Sequence, residues 1–265
     1  MGQKLGQHFL INLEKLKKVS DALEITRDSV VIEVGPGHGE LTQYLLEAGA
    51  RVTALERDKA LIEPLKEKFA SFVIPAEAGI HPGFEVIEGN ALELLPMVVE
   101  ELERQGEPYM IAGNIPYYIT GYLLRVIEEL EHKPMRVVMT IQKEVAERIC
   151  AQSPKMNLLA ASVQYWATAS IIDIVPKKDF NPPPKIDSAT IRLDVHPTEG
   201  DSIRYYAFIR QLFSQPRKTI INNLAGKDGD KEVIIEALQR AGFDAKMRSH
   251  DLSMEDIYKL MVIFS

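Results

Sequence analysis

The sequence has few residues that could act as covalent cross-links or membrane anchors. It contains one cysteine, Cys150, so an internal disulfide is excluded and a reducing, cytoplasmic setting is expected. Cys150 stands at helical spacing in VAERICA, which indicates packing more than nucleophilic chemistry. No apolar run approaches the roughly 20 residues of a membrane helix, and the amino-terminal MGQKLGQHFLINLEKLKK has no apolar signal core. The six histidines include no close pair at ligand spacing, so no metal site is predicted.

The charge distribution bears on the choice of partner. The net charge of −7 argues mildly against a nucleic-acid ligand. The acids concentrate in residues 84–107, however, whereas residues 1–18 and 133–192 are locally basic. Because a polyphosphate responds to the local face, the total charge does not exclude RNA. Charge alone leaves the alternative open, which is a set of ordinary solvated faces of mixed sign.

Apolar runs rich in β-branched residues alternate with amphipathic helical patterns over most of the chain. Strands are predicted at SVVIEV (29–34), RVTALE (51–56), FEVIEG (84–89), YMIAGN (109–114) and RVVMTIQ (136–142), each followed by a helical segment. This alternation predicts an α/β fold, a Rossmann-like and mostly parallel sheet with helices on both faces. ASVQYWATASIIDIVP (161–176) and SATIRLDV (188–195) predict an antiparallel hairpin at its edge.

The pattern of predicted secondary structure changes after Pro197. Residues 198–265 carry helical patterns only and are predicted to form a small helical domain, and residues 1–197 a larger α/β domain with a helical lead-in over 1–25. Residues 71–83, SFVIPAEAGIHPG, read as a surface insertion with no assignable chemistry.

The ends of the first three predicted strands suggest a nucleoside ligand. EVGPGHGELT places Gly35, Gly37 and Gly39 after the first strand, where glycines let the backbone approach a ligand and Glu33 can accept hydrogen bonds. Glu56 ends the second strand, and a carboxylate there can hold both ribose hydroxyls. Asn90 follows the third strand, where its amide can pair with an adenine edge. A tight structural turn is the alternative for the glycines alone, and the missing Walker pattern disfavours ATP.

The fourth strand ends in Asn-Ile-Pro-Tyr, which suits methylation of an exocyclic amino group. The lone pair of an adenine amino nitrogen is delocalised into the ring, so acceptors at Asn114 and at a backbone carbonyl near Pro116 can draw it toward a tetrahedral geometry. Tyr117 can stack on the base. In-line positioning then supplies most of the rate, without a strong general base.

A stiff proline-rich loop supplies a second candidate ring. In FNPPPKIDSATIRL (180–193), Phe180 either stacks over a flipped base or is tucked into the core, and the sequence leaves both open.

Together these motifs resemble the small-subunit ribosomal RNA adenine dimethyltransferase family. The resemblance covers nearly the whole chain and includes LGQHFL, EVGPGHGELT, ALERD, GNIPYYIT, IQKEVAERI, FNPPPKIDSATIRL, FSQPRKTIINNL and MRSHDLSMEDIYKL. It implies S-adenosylmethionine as donor, and as acceptors two adjacent adenosines in the 3′-terminal hairpin loop of 16S rRNA, each dimethylated at N6 in ribosome biogenesis. A monomer acting on the small ribosomal subunit is expected.

The resemblance also implies cofactor contacts at His8, Leu10, Gly35, Glu56, Asn90 and Asn114. Such proteins usually carry Asp at position 90. Because Asn keeps an acceptor but lacks the charge, weaker cofactor binding is our hypothesis here; an Asn90→Asp variant of unchanged cofactor affinity would contradict it.

Three alternatives remain at this stage. A large-subunit rRNA methyltransferase of the macrolide-resistance family shares the NIPY and proline-loop motifs, but QPRKTIINNL and LGQHFLIN favour the small-subunit enzyme. A DNA adenine methyltransferase lacks support because no separate target-recognition region is found. A non-catalytic ribosome-assembly or transcription factor is disfavoured by the intact motifs. The candidate RNA contacts are Lys143, Lys185, Arg217 and Lys218, for which ordinary surface charge is the alternative.

Overall fold

The computed structural model describes residues 8–72, 83–198, 200–226 and 229–264. Its strands are β1 Phe9–Leu10, β2 Val30–Val34, β3 Arg51–Glu56, β4 Phe84–Glu88, β5 Tyr109–Asn114, β6 Arg136–Gln142, β7 Ala167–Val175, β8 Phe180–Asn181 and β9 Ser188–Val195. Its helices are α1 Leu13–Leu23, α2 Glu40–Glu47, α3 Lys59–Lys68, α4 Ala91–Gln105, α5 Thr120–Glu129, α6 Lys143–Ile149, α7 Leu158–Gln164, α8 Ser202–Leu212, α9 Ile220–Ala225, α10 Lys231–Arg240 and α11 Met254–Phe264.

Seven strands form one sheet in the order β4-β3-β2-β5-β6-β9-β7. The pairs β3–β4, β2–β3, β2–β5 and β5–β6 are parallel, and β6–β9 is antiparallel. Every residue of β2 is buried, as expected for an inner strand with helices on both faces. The mostly parallel, Rossmann-like sheet with an antiparallel edge is confirmed. Its parallel strands bring Val34, Glu56, Glu88 and Asn114 to one edge.

One predicted strand is shorter than its sequence pattern. The expected strand at 161–176 begins only at Ala167, because residues up to Gln164 belong to α7. Asn157 caps that helix by accepting the Ala160 N–H at 3.1 Å, and the helix buries Ala160, Ala161 and Val163. Alanine favours helices more than strands, and the cap selects the helical state.

The amino-terminal strand β1 lies beside the proline-rich loop. It pairs antiparallel with β8, with Phe9 opposite Asn181 and Leu10 opposite Phe180. Just beyond β1, the Ile11 N–H donates to the Asp179 carbonyl at 2.9 Å. The predicted helical lead-in over 1–25 thus contains α1, preceded by a short strand; residues 1–7 of it, and most of the 71–83 insertion, lie outside the described residues.

The described chain forms two compact units. The first is built from residues up to Ala146 and from Thr168–Val195, and it contains the whole parallel sheet. The second combines Glu147–Ala167 with the residues from His196 onward. The predicted boundary near 197 is therefore one place where the chain passes between units, and Glu147–Ala167 joins the carboxy-terminal helices. Over the ranges given above, no helix has the length and apolar character needed to cross a membrane.

Candidate active site

A cleft lies at the carboxyl edge of the parallel strands. It is lined by His8, Phe9, Val34, Gly35, Gly37, Leu55, Glu56, Arg57, Gly89, Asn90, Ala91, Asn114, Ile115, Pro116, Tyr117, Tyr118, Ile119 and Phe180. The sheet brings together the polar ends of β3 and β5, the Gly-rich turn after β2 and the first residues of α4, as the strand order predicts.

The Gly-rich turn has two glycines whose positions require the absence of a side chain. Gly35 has φ +70°, and a Cβ there would meet no atom within 4 Å, so space is open beside this residue, which lines the cleft. Gly37 has φ +62°, and a Cβ would lie 2.8 Å from two carbons of the Phe9 ring. Both values lie in the left-handed region that favours glycine. The space beside Gly35 is thus open, whereas the Phe9 ring of β1 fills the space where a side chain of residue 37 would lie.

The Glu56 carboxylate at the end of β3 is nearly buried and is oriented by backbone donors. Its Oε2 accepts the Gly37 N–H at 3.2 Å and its Oε1 accepts the Asp58 N–H at 2.7 Å. The pKa of Glu56 is raised, chiefly by burial, and the hydrogen bonds from these N–H groups lower it by less. Each oxygen keeps a second lone pair, so the fixed carboxylate can accept hydrogen bonds from a diol.

Glu33 lies beneath the turn, outside the lining of the main cleft. It is buried, and its Oε2 accepts a hydrogen bond from the Thr42 hydroxyl at 2.6 Å. Burial raises the pKa of Glu33 to about 8, so its carboxyl is protonated in the folded protein near neutral pH. It borders a smaller cavity that Gly35 and Asn114 also line.

Asn90 caps α4 as well as lining the cleft. Its Oδ1 accepts the Leu92 N–H at 3.2 Å and its Nδ2 donates to Glu93 Oε1 at 2.8 Å. The amide is therefore oriented by the first turn of α4, and Oδ1 retains a second lone pair as an acceptor.

The side chain of Asn114 is anchored by the amino-terminal segment. Its Nδ2 donates to the His8 carbonyl at 2.8 Å. The His8 ring Nδ1 lies 2.8 Å from the Pro182 carbonyl, so the same segment is tied to the proline-rich loop. With Nδ2 engaged, Oδ1 is the atom of Asn114 left to accept a hydrogen bond from a ligand.

Tyr117 is held at its hydroxyl, and the turn around it is closed by backbone bonding. The phenol oxygen lies 2.7 Å from the hydroxyl oxygen of Ser188, which is fully buried at the start of β9. Burial raises the pKa of Tyr117, so it stays a neutral phenol. The Pro116 carbonyl accepts the Ile119 N–H at 3.0 Å, which forms the short 3₁₀ turn Tyr117–Ile119.

Phe180 lines the cleft but is only 3% exposed, and it packs with the core around Leu10 and α1. Leu10 is buried in that core and borders the smaller cavity. A Cβ at Gly39 would meet the Phe69 ring at 2.5 Å, so Gly39 serves helix packing. The first unit thus brings His8, Gly35, Glu56 and Asn90 together with Asn114–Tyr117, whereas Leu10, Glu33 and Gly39 lie behind them.

Several residues at the cleft were not singled out from the sequence. Ser188 gives no motif signal of its own because its role depends on a contact between distant segments. Phe9 seats its ring against Gly37, with its centroid 4.5 Å from that of His38. Arg57 and Tyr118 also line the cleft. The doubled tyrosine in NIPYYIT is the one signal that could have identified Tyr118.

The four candidate RNA contacts are distributed over both units. Lys143 begins α6, where its N–H donates to the Asp187 carbonyl at 3.1 Å, and Lys185 is exposed in the proline-rich loop. Arg217 and Lys218 are exposed in the second unit, between α8 and α9. In the part of the chain that the structure describes, no group of three or more His, Cys, Asp or Glu side chains is placed to hold a metal ion.

The fold and the cleft are those of a Rossmann-like α/β protein whose ligand site lies at the carboxyl edge of the parallel strands, as in the class of Rossmann-like methyltransferases. A family model described as ribosomal RNA adenine dimethylase matches residues 2–265, and the chain belongs to that family.

Relatives and solved structures agree with this assignment. The chain is 39% identical to the ribosomal RNA small subunit methyltransferase A of Dehalococcoides mccartyi (strain CBDB1), over 98% of this chain and 87% of the relative. It is 36% identical to the protein of the same name from Bacillus pumilus, over 97% and 89%. The crystal structure of the 23S rRNA methyltransferase ErmE superposes with a TM-score of 0.75 at 26% identity, over 97% and 99%. A dimethyladenosine transferase from Plasmodium falciparum has a TM-score of 0.78 at 24% identity, over 97% of each chain, which supports the fold.

Proposed function

We propose that this enzyme dimethylates the N6 amino groups of two adjacent adenosines in the 3′-terminal hairpin loop of small-subunit rRNA, using S-adenosylmethionine, during ribosome biogenesis. The anchored Asn114 carries the proposal, because its Oδ1 is left as an acceptor at the cleft. The small subunit is favoured because relatives named for it are 36% and 39% identical, against 26% for the 23S rRNA enzyme.

The cleft residues fit S-adenosylmethionine. Open space at Gly35 admits the close approach of a ligand, and the oriented Glu56 carboxylate suits the two ribose hydroxyls. The Asn90 amide, at the start of α4, suits the adenine edge. When bound, the cofactor supplies an electrophilic methyl group on a sulfonium. His8 and Gly37, which line the cleft, complete the proposed cofactor contacts, and Leu10 supports them from behind the cleft.

The acceptor adenine is held by the NIPY tip. Asn114 Oδ1 accepts one hydrogen of the amino group and a backbone carbonyl accepts the other, which localises the nitrogen lone pair. We assign that carbonyl to Ile115, because the carbonyl of Pro116 already closes the 3₁₀ turn. Tyr117 stacks on the base. The methylated nitrogen becomes acidic and loses its proton to water, so the side chains act by positioning.

Phe180 contributes from behind the cleft surface. Because its ring is almost fully buried, we assign Phe180 to the wall of the cleft against which the base rests. Stacking of the base on both of its faces would require side chains of the cleft to rearrange. Lys143, Lys185, Arg217 and Lys218 remain the proposed phosphate contacts.

The test is methyl transfer from radiolabelled S-adenosylmethionine to small subunits that lack the modification, with large subunits and duplex DNA assayed in parallel. We expect four methyl groups on two neighbouring adenosines, and a rate about 100-fold lower for Asn114→Ala, since a positioned hydrogen-bond partner is lost. Gln105→Ala removes an exposed amide at the end of α4 and is the matched control. Label on large subunits would reassign the substrate, and particle binding without label would indicate a non-catalytic factor.

A further inference from the structure

Two tyrosines beside the cleft expose most of their rings. Tyr118 is 55% exposed and Tyr122 is 68% exposed. Tyr118 belongs to the turn Tyr117–Ile119 and lines the cleft, and Tyr122 follows in the first turn of α5. Tyr122 follows Tyr118 by only four residues, so two exposed rings lie in the short segment that leads away from the cleft, and we call this pair the aromatic rim.

The fold does not require these rings. Helix α5 packs through Thr120, Leu123, Leu124 and Ile127, all of which are buried. Tyr118 and Tyr122 lie outside this buried set. Exposed large aromatic groups next to a ligand cleft are candidates for recognition of a flat, partly apolar partner.

Exposed lysines lie in the chain on either side of Phe180, in the proline-rich loop and in the turn just before it. Lys177, Lys178 and Lys185 are exposed and flank Phe180, which lines the cleft. Within the described residues, the ammonium groups of these three lysines form no ion pair. Two segments that contribute lining residues to the cleft therefore carry exposed aromatic rings in one case and exposed positive charge in the other, which together suit a nucleic-acid strand whose bases are unpaired.

We propose that Tyr118 and Tyr122 bind unpaired nucleotides next to the target adenosine by stacking, and that the loop lysines contact the phosphates. A base that enters the cleft leaves its neighbours without one stacking partner, and the rim replaces it. Paired strands keep both faces of each base covered, so the rim selects single-stranded RNA. This inference rests on the proposed function and names the part of the RNA recognised outside the pocket.

The test measures binding of a short unpaired RNA that contains two adjacent adenosines, by fluorescence anisotropy at fixed salt. A second RNA of equal length carries abasic riboses at the nucleotides flanking the adenosines. For the intact RNA we expect the dissociation constant to rise about tenfold in Tyr122→Leu and Tyr118→Leu and to stay within about twofold in the Phe variants, since stacking needs the ring. For the abasic RNA we expect no change from any of them.

Met97→Ala is the matched control, because Met97 is 65% exposed on α4 and does not line the cleft. Thermal melting and cofactor binding of each variant check that it is folded. Equal losses on both RNAs, wild-type affinity of the Leu variants, or no binding of the short RNA by the wild type would each overturn the proposal. Methyl transfer to small subunits distinguishes failure of the proposed function from failure of the proposed role of the rim. No transfer by the wild type would refute the proposed function. Full transfer by the Leu variants would refute only the role of Tyr118 and Tyr122.

Discussion

At the residue scale, two polar side chains of the cleft are oriented in part by backbone groups that are distant in sequence. Asn114 depends on the His8 carbonyl and Glu56 on the Gly37 N–H. The sequence identified these side chains by their places at strand ends. It could not identify their partners, because each partner is brought into position by the packing of another segment.

Glu33 predicts a dependence of stability on pH. Its pKa is raised from 4.5 to about 8 in the folded state, so between these values the folded protein binds a proton that the unfolded chain lacks. Stability is therefore lost as pH rises through this window, with a contribution of up to about 1.4 kcal/mol per pH unit. Urea unfolding at pH 5, 6, 7 and 8 should show this slope in the wild type and a smaller one in Glu33→Gln. Glu85→Gln, at an exposed position of β4, is the control; parallel slopes for wild type and Glu33→Gln would refute the assignment.

Ser188 predicts a coupled effect with Tyr117. Removing either hydroxyl breaks the same 2.7 Å hydrogen bond, so Ser188→Ala and Tyr117→Phe should each lower kcat/KM about tenfold, and the double variant should be no worse than the single ones. Cofactor affinity should be unchanged, since the bond positions the acceptor side. Steady-state kinetics and calorimetry of all four proteins measure this cycle, and additive losses would contradict it.

At the element scale, the short β1–β8 pair connects the Gly-rich turn to the NIPY tip. Phe9 packs against Gly37 and is held by the strand pairing with Asn181. His8 anchors Asn114 and is held by the contact of its ring with the Pro182 carbonyl. A two-residue strand carries no periodicity that a sequence pattern can reveal, so this connection became visible only in three dimensions.

Alanine substitutions at Gly35 and Gly37 should separate two proposed roles of the Gly-rich turn, which are to leave space for the cofactor and to support the Phe9 ring. Both Gly35→Ala and Gly37→Ala place a side chain at positive φ, which costs about 1–2 kcal/mol. Gly37→Ala also forces the Phe9 ring to move, so it should lose about 1–3 kcal/mol more stability and impair methyl transfer through Asn114. Gly35→Ala should instead block cofactor binding while β1 stays seated.

Chemical denaturation and binding of S-adenosylhomocysteine check this pair. The control is Gly121→Ala, in α5, where a Cβ meets no atom within 4 Å and helix propensity favours alanine by about 1 kcal/mol. Equal stability of the Gly35 and Gly37 variants would mean that the contact with Phe9 is not limiting.

At the scale of the whole molecule, the second unit depends on a segment from the middle of the chain. Tyr165 stacks on Tyr205 with ring centroids 4.0 Å apart, and the Tyr205 hydroxyl donates to the Ala161 carbonyl at 2.9 Å. The ring stacking and the hydrogen bond both join α7, or the residue that follows it, to α8. A boundary drawn only at 197 would separate these partners.

This predicts how fragments behave. Residues 198–265 alone should be largely unfolded, because Tyr205 loses its stacking partner and its buried acceptor. A chain in which residues 147–167 are joined by a flexible linker to 196–265 should fold cooperatively. Circular dichroism with thermal melting of the two fragments decides this, and a cooperative transition in 198–265 alone would show that the helices are self-sufficient.

The sequence by itself determined the class of fold, most strand positions and several of the residues that line the cleft. The spacing of apolar residues in the sequence reflects which faces of a helix or strand are buried. The carboxyl ends of parallel strands lie at one edge of the sheet, independent of the conformation of the loops that follow them. The tertiary structure decided the partners: the seat of Phe9 on Gly37, the anchor of Asn114, the bond from Ser188 to Tyr117 and the association of 147–167 with the carboxy-terminal helices. These are contacts between segments far apart in the chain, and local patterns carry no record of them.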